Sequence, residues 1–151
     1  MAIALFPGSF DPFTAGHEAI LRRVLPLFDK VVVAVGVNSE KHYMFSVEER
    51  MERIRQRLAD CPTAEVTSYD GMTIDLCHRL GAQAIIRGIR TAADFEYEQT
   101  IAAVNRLQDP SIETLLLLAD PEHKDISSTL ERERLSHSGN QTTMLSHDAA
   151  D

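Results

Sequence analysis

The sequence has no tryptophan, only two cysteines, and no apolar run near the length of about 20 residues that a membrane-spanning helix needs. Cys61 and Cys77 have no Cys-x-x-Cys spacing, so neither a disulfide framework nor a zinc site is indicated. We expect both to be free, mostly buried thiols. The apolar N-terminus lacks a basic leader and soon reaches Pro7, which favours a strand over a signal peptide and predicts a cytoplasmic location.

Basic residues are also few. Lys and Arg number 15 against 23 Asp and Glu, which gives a formal net charge of -8 at pH 7. Non-specific nucleic-acid binding uses a basic surface, so we expect neither nucleic acid nor a membrane as a partner. The same charge sets a condition on function. A phosphate-rich substrate would need a local basic cluster that overcomes the overall negative field.

Short apolar runs alternate with amphipathic stretches along a chain of one-domain length. Strands are predicted over 2–6, 31–35, 65–69, 84–86 and 114–118. Helices are predicted over 17–28, 47–58, 73–80 and 92–107, and a capping box at 128–131 opens a last short helix. This order predicts one α/β domain over 1–135: a doubly wound, five-stranded parallel sheet with helices on both faces, followed by an irregular tail over 136–151. Ligands of such sheets bind at the carboxyl ends of the strands.

The loop after the first strand is the first candidate site. Gly8 allows a tight turn and a close approach to a ligand, and Ser9 offers a hydroxyl. His17 is predicted near a helix N-terminus, where free N–H groups favour phosphate. A plain Pro/Gly turn with a half-buried histidine is the alternative, and the whole string 6–17 is less easily explained that way. The string matches neither a Walker loop nor a Gly-x-Gly-x-x-Gly fingerprint.

Three cations follow other strands of the predicted sheet. Arg87 and Arg90 are expected in the loop after the fourth strand, where they can present two guanidinium groups to one pocket, and Lys41 follows the second strand. Ser127-Ser128-Thr129 opens the last helix and could form a second anion site. Solvated surface charges and an ordinary N-cap are the alternatives. Three cations at one sheet edge favour a phosphate site, which satisfies the condition set by the net charge.

These motifs together resemble a known family. A strand followed by Pro-Gly-Ser-Phe-Asp-Pro and then Thr-x-Gly-His (7–17) is similar to the signature of the Rossmann-like nucleotidyltransferase superfamily. Within it, the chain most resembles the phosphopantetheine adenylyltransferases. The matching blocks span about residues 3–135 in order and include 38–41, 45–50, 86–90, 94–98, Asn105 and 126–129.

The resemblance implies an activity. The 4′-phosphate of phosphopantetheine would attack the α-phosphate of ATP, giving dephospho-coenzyme A and pyrophosphate. The nucleophile is already an anion, and the sequence shows no protein nucleophile with a partnered base, which fits direct in-line transfer. Mg²⁺ is expected on the triphosphate, held mainly by substrate oxygens and water. The family also implies coenzyme A as a ligand and a homo-oligomer, usually a hexamer.

The resemblance further implies roles for individual residues. His17, Lys41 and Arg90 are the expected catalytic residues, and no metal ligand is assigned. The expected phosphopantetheine contacts are Ser9, Lys41, Met72, Thr73, Arg87 and Asn105. The expected ATP contacts are Ser9, Phe10, His17, Gly88, Ile89, Arg90, Glu98, His123, Ile126, Ser127, Ser128 and Thr129.

The chain departs from the family's habits in three places. Phe6 stands where tyrosine is usual, Ala119-Asp120 replaces a common Pro-Ser pair, with His123 where an aromatic residue is frequent, and the C-terminus lacks the usual Gly-Asp-Val stretch. Two alternatives stay open. One is another member of the superfamily, a cytidylyltransferase or a nicotinamide mononucleotide adenylyltransferase. The other is a non-catalytic nucleotide-binding regulator. Lys41, Arg87 and Asn105 favour a phosphopantetheine acceptor.

Replacement of His17 tests the role of the first loop. We expect His17→Ala to lower kcat by on the order of 10² or more with little change in ATP affinity, because the contact to the α-phosphate is strongest in the transition state. Steady-state kinetics and ATP titration measure the two quantities. Near-normal turnover of the variant would remove His17 from the reaction.

Overall fold

The fold is an alternation of parallel strands and helices. The computed structural model describes residues 1–120. The strands are β1 (Ile3–Gly8), β2 (Lys30–Gly36), β3 (Ala64–Tyr69), β4 (Ala84–Ile89) and β5 (Glu113–Leu118). The helices are α1 (Ala15–Val24), α2 (Val47–Arg57), α3 (Thr73–Leu80) and α4 (Ala92–Gln108), with a 3₁₀ turn over Leu25–Leu27. All strand pairs are parallel in the order β3-β2-β1-β4-β5, which confirms the predicted doubly wound sheet.

The sheet is buried on both faces because alternate strand residues enter two separate cores. On one face, residues such as Phe6 and Val33 pack with α1 and α2 through Leu21 and Ile54. On the other face, residues such as Leu5 pack with α3. Helix α4 contacts α3 and β4 and therefore lies on this second face. The predicted placement of helices on both faces is confirmed.

Capping residues set the helix ends. A capping box at Ser46 begins α2, and threonine side chains cap α1 and α4 in the same way. The predicted helix over 17–28 is shorter than expected. It ends at Val24 and continues only as the 3₁₀ turn, because Pro26 has no N–H to donate to a helical carbonyl. The predicted last helix at 128–131 and the tail over 136–151 lie outside the described residues.

Two strands are longer than their apolar runs. The sequence predicts that Arg87 lies in a loop, but β4 continues through it to Ile89 because β5 pairs with this stretch, with Arg87 opposite Leu116. The prediction of a loop at Arg87 is therefore wrong. Strand β1 likewise continues through Pro7, which lies opposite Ala34 of β2.

The central pair of strands separates early. Strands β1 and β4 pair at only two positions, Ala4 with Ala84 and Leu5 with Ile85. The strand order also reverses at this pair, since β2 and β3 lie on one side and β5 on the other. A crevice at the carboxyl ends of the strands is the usual ligand site at such a switch point.

Both cysteines are free thiols, as predicted. Cys77 is fully buried, and burial raises the pKa of its thiol to about 11, so it stays protonated at neutral pH. Cys61 is partly buried, and burial raises the pKa of its thiol as well. Within residues 1–120, no helix is both long and apolar enough to cross a bilayer.

The C-cap of α3 allows a test of backbone strain. Gly81 has a φ of 74°, and a Cβ there would meet no atom within 4 Å. We expect Gly81→Ala to lower the free energy of unfolding by about 1 kcal/mol, because an alanine pays a steric cost in the left-handed region. Gly81→Asn should lose less, because asparagine tolerates that region. Urea denaturation measures both, and an alanine variant as stable as the asparagine variant would contradict the assignment.

Candidate active site

A cleft of about 300 Å³ opens at the carboxyl ends of the strands. Five of the six side chains predicted to contact phosphopantetheine line this cleft: Ser9, Lys41, Thr73, Arg87 and Asn105. The sixth, Met72, is the N-cap of α3 and is 49% exposed, and the structure does not place it in the cleft wall. Residues far apart in sequence therefore meet at one sheet edge.

Ser9 and Lys41 form one wall of the cleft. Ser9 is buried directly after β1, and the Lys41 ammonium donates to its hydroxyl oxygen at 3.3 Å. Lys41 lies on the β2–α2 loop (residues 37–46), where its own N–H donates to the carbonyl of Asn38. The hydroxyl of Tyr43 accepts from the N–H of Asn38 in the same loop. The lysine is therefore presented by a loop with internal hydrogen bonds.

Arg87 and Glu98 form the opposite wall. The Arg87 guanidinium donates to both carboxylate oxygens of Glu98, at 2.9 and 2.7 Å, and its third nitrogen donates to the carbonyl of Pro7 at 2.6 Å. Glu98 is only 1% exposed, and its partner compensates its buried charge. The family resemblance implies that Glu98 contacts the nucleotide. The structure places its carboxylate on Arg87 in this cleft.

Arg90 occupies a different position from Arg87. Its backbone N–H donates to Asp94 at 2.9 Å, and its guanidinium lies 3.6 Å from the same carboxylate. Arg90 is not among the residues that line this cleft, whereas Arg87 is.

His17 is held in one orientation at the start of α1. The backbone N–H of Thr14 donates to His17 Nδ1 at 3.0 Å, so the neutral ring carries its proton on Nε2. The Thr14 side chain accepts from the N–H of His17 in return. The rings of Phe10 and Phe13 pack against the imidazole, with centroids 4.9 and 5.6 Å away, and the histidine is only 9% exposed. This arrangement provides a fixed hydrogen-bond donor at Nε2.

The buried ring of Phe10 packs against the loop that follows β1. Its ring is 1% exposed, and a Cβ on Gly8 would lie 2.9 Å from the ring carbon Cζ. Glycine is therefore required at position 8 by the packing of this ring. The family resemblance implies that Phe10 contacts ATP. Because its side chain is in the core, only its backbone can face a ligand. Phe6 packs edge-on against the same ring at 5.3 Å.

Part of the predicted nucleotide site lies outside the described residues. This applies to His123, Ile126, Ser127, Ser128 and Thr129. Gly88 and Ile89 are placed at the end of β4, and the Gly88 Cα lies against α1, where a Cβ would meet Ile20 at 3.2 Å. In the described part of the chain, no three His, Cys, Asp or Glu side chains are grouped closely enough to hold a metal ion.

Sequence reasoning missed Arg50. It is 2% exposed on α2, and its guanidinium donates to the carbonyls of Ser9, Gly36 and Phe45. A signal existed, because Arg50 lies four residues before Ile54 and eight before Leu58, on the apolar stripe of the helix. Arg50 is the one charged residue of α2 that is buried together with this stripe.

Comparison with known proteins identifies the family of this chain. The cytidylyltransferase-like family matches residues 5–134. The chain therefore belongs to the cytidylyltransferase-like family, whose members are nucleotidyltransferases. Similar relatives of this chain carry one particular nucleotidyltransferase name. A phosphopantetheine adenylyltransferase from Flavobacterium johnsoniae is 49% identical over 149 residues, 99% of this chain and 97% of that protein. Another, from Flavobacterium psychrophilum, is 47% identical over 145 residues, 96% and 95% of the two chains.

The chain thus groups with the phosphopantetheine adenylyltransferases, and the resemblance inferred from its motifs is confirmed. Solved structures extend the likeness at the level of the fold. A bifunctional NMN adenylyltransferase/ADP ribose pyrophosphatase from Francisella tularensis superimposes with a TM-score of 0.61 at 18% identity, covering 93% of this chain and 43% of that one. The sheet and its helices are therefore shared by proteins of quite different sequence.

The pairing of Arg87 with Glu98 predicts a large stability effect. We expect Glu98→Gln to lower the free energy of unfolding by about 3 kcal/mol, because it leaves a largely buried guanidinium without its carboxylate. Glu96→Gln is the matched control, because Glu96 is exposed on the same helix. Chemical denaturation compares the two. Equal stabilities would show that the buried pair adds little to the folded state.

Proposed function

We propose that this protein transfers the adenylyl group of ATP to 4′-phosphopantetheine, producing dephospho-coenzyme A and pyrophosphate. One observation carries the proposal: Ser9, Lys41, Thr73, Arg87 and Asn105 line a single cleft at the switch point of the sheet. The assignment of the chain to the phosphopantetheine adenylyltransferases supports the choice of acceptor.

The cleft suits an acceptor with one charged end. Lys41 and Arg87 would hold the acceptor phosphate, with the hydroxyl of Ser9 beside them. Ammonium and guanidinium groups are the usual protein partners of phosphate oxygens. Tyr97 and Ile101 of α4 line another part of the cleft and offer apolar surface to the uncharged pantetheine arm. Thr73, and Met72 beside it, would contact that arm.

The nucleotide would lie next to this phosphate. His17, with its proton on Nε2, would donate to the α-phosphate as that group becomes five-coordinate. Arg90, with Ser127, Ser128 and Thr129, would take the β- and γ-phosphates and the leaving pyrophosphate. Both substrates bring their own negative charge. Catalysis would therefore rest on holding two anions in line and stabilising charge at the reacting phosphorus.

Mg²⁺ would accompany the triphosphate. The ion would be held mainly by phosphate oxygens and water. It would supply neutralisation of charge on the leaving pyrophosphate. Among the described residues, Lys41, Arg87 and Arg90 would neutralise the remaining negative charge of the phosphates.

Assembly and location complete the proposal. We expect a homo-oligomer, a hexamer by family resemblance, acting in the cytoplasm and binding dephospho-coenzyme A and coenzyme A as further ligands. Exposed apolar side chains on the outer surface of the second face support assembly, among them Val104 at 48%, Leu107 at 87% and Leu118 at 70% exposure. Apolar surface of this kind is commonly covered by another chain.

An acceptor panel tests the function. Pyrophosphate release from ATP and Mg²⁺ is measured with phosphopantetheine, pantetheine, nicotinamide mononucleotide and glycerol 3-phosphate, and CTP replaces ATP in a parallel series. We expect release only with ATP and phosphopantetheine, because only that acceptor carries both the phosphate and the arm that the cleft fits. Release with a different acceptor would favour another superfamily activity, and no release at all would favour a binding protein.

A further inference from the structure

A buried arginine, Arg50, lies beneath the wall of the cleft that Ser9 and Lys41 form. Arg50 is 2% exposed, yet among residues 1–120 no carboxylate forms an ion pair with it. Burying an unpaired charge is costly unless strong hydrogen bonds replace its water. The contacts of Arg50 must therefore replace the water that its guanidinium loses on burial.

Those contacts are backbone carbonyls and one ring. One guanidinium nitrogen donates to Ser9 at 2.9 Å and to Gly36 at 3.0 Å, and Nε donates to Phe45 at 3.1 Å. The plane also lies over the ring of Tyr43, 3.9 Å from its centroid. A flat fork can reach three carbonyls in this way, and a lysine ammonium lacks that geometry.

The three carbonyls belong to residues at or next to the wall that Ser9 and Lys41 form. Gly36 ends β2 just before the β2–α2 loop, Phe45 lies near the end of that loop, and Lys41 is carried between them. Ser9 is the residue whose hydroxyl accepts from Lys41. A single guanidinium therefore holds both ends of the lysine loop and the serine opposite it.

Asp11 makes a second set of contacts with the β2–α2 loop. The Asp11 carboxylate accepts from the N–H groups of Met44 at 2.6 Å and Phe45 at 2.9 Å. Asp11 lies two residues after Ser9 in the first loop. The two loops that supply Ser9 and Lys41 are thus joined by Arg50 and by Asp11.

We propose that Arg50 is the positioning residue of the acceptor-phosphate site. Its guanidinium sets the distance between Ser9 and Lys41, so that both face the phosphate before the ligand arrives. The proposal rests on the proposed function, because it names what prepares that site. Preorganised contacts raise affinity by removing the cost of ordering them on binding.

The test compares a ligand with and without phosphate. Dissociation constants of 4′-phosphopantetheine, pantetheine and ATP are measured by calorimetry for the unchanged protein, Arg50→Lys and Arg53→Lys. Arg50→Lys keeps the charge and removes the fork. Arg53 is the matched control, because it lies on the same helix and packs on the ring of Phe45 at 4.1 Å, at the exposed surface.

We expect Arg50→Lys to lower the preference for phosphopantetheine over pantetheine by about tenfold, as expected when a charged hydrogen-bonding arrangement is displaced. Arg53→Lys should leave that preference within about twofold, as for a surface substitution. A lower melting temperature of Arg50→Lys with an unchanged preference would overturn the proposal, since Arg50 would then act on stability alone. A matching loss in ATP affinity would overturn it as well.

Asp11→Asn keeps the test decisive if Arg50→Lys does not fold. The amide retains one of the two acceptors, so the preference for the phosphorylated ligand should fall in the same direction. An unchanged preference in folded Asp11→Asn would count against the positioning role.

The unchanged protein separates the two proposals. If it shows no preference for phosphopantetheine, the proposed function fails and the inference with it, whereas a preference that survives in Arg50→Lys overturns the inference alone.

Discussion

The carboxyl end of the central strand β1 is held by two arginines, and the cleft depends on this arrangement. Beyond Leu5 the strand has lost its ladder to β4. Arg87 donates to the Pro7 carbonyl from one side, and Arg50 donates to the Ser9 carbonyl from the other. Backbone carbonyls that would otherwise lack partners are thereby satisfied. Because Glu98 compensates the charge of Arg87, the positive charge at this sheet edge comes from Arg50 and Lys41. In a protein whose net charge is -8, that local charge favours a phosphate site.

The fold could be predicted because its signals are local. Apolar runs and amphipathic stretches each depend on a few neighbouring residues, and they predict the five strands and the helices between them in the right order. Strand ends were less predictable. Strand β4 passes through Arg87 because β5 lies beside it, and no apolar pattern at that position reports a partner about 30 residues away. Tertiary pairing decides such ends.

The site could be predicted in part. Ser9, Lys41 and Arg87 were recognised because phosphate chemistry requires cations and hydroxyls at the carboxyl ends of strands, and the cleft brings them together. The contacts of Arg50 were missed because they join a helix to two strand ends, and the sequence contains no pattern for carbonyl groups that meet only in the folded chain. The pairing of Glu98 with Arg87 was missed for the same reason, since an acid on a helix is usually solvated.

The early separation of β1 and β4 has a consequence for how this fold diversifies. The sheet consists of two panels, β3-β2-β1 and β4-β5, joined by two residue pairs and, farther along, by the side chain of Arg87. The width of the gap between the panels is thus set by side chains, which can be exchanged without altering the backbone ladder. Evolution can therefore change which acceptor fits this gap without changing the fold. The fold itself recurs in a protein that is only 18% identical to this chain.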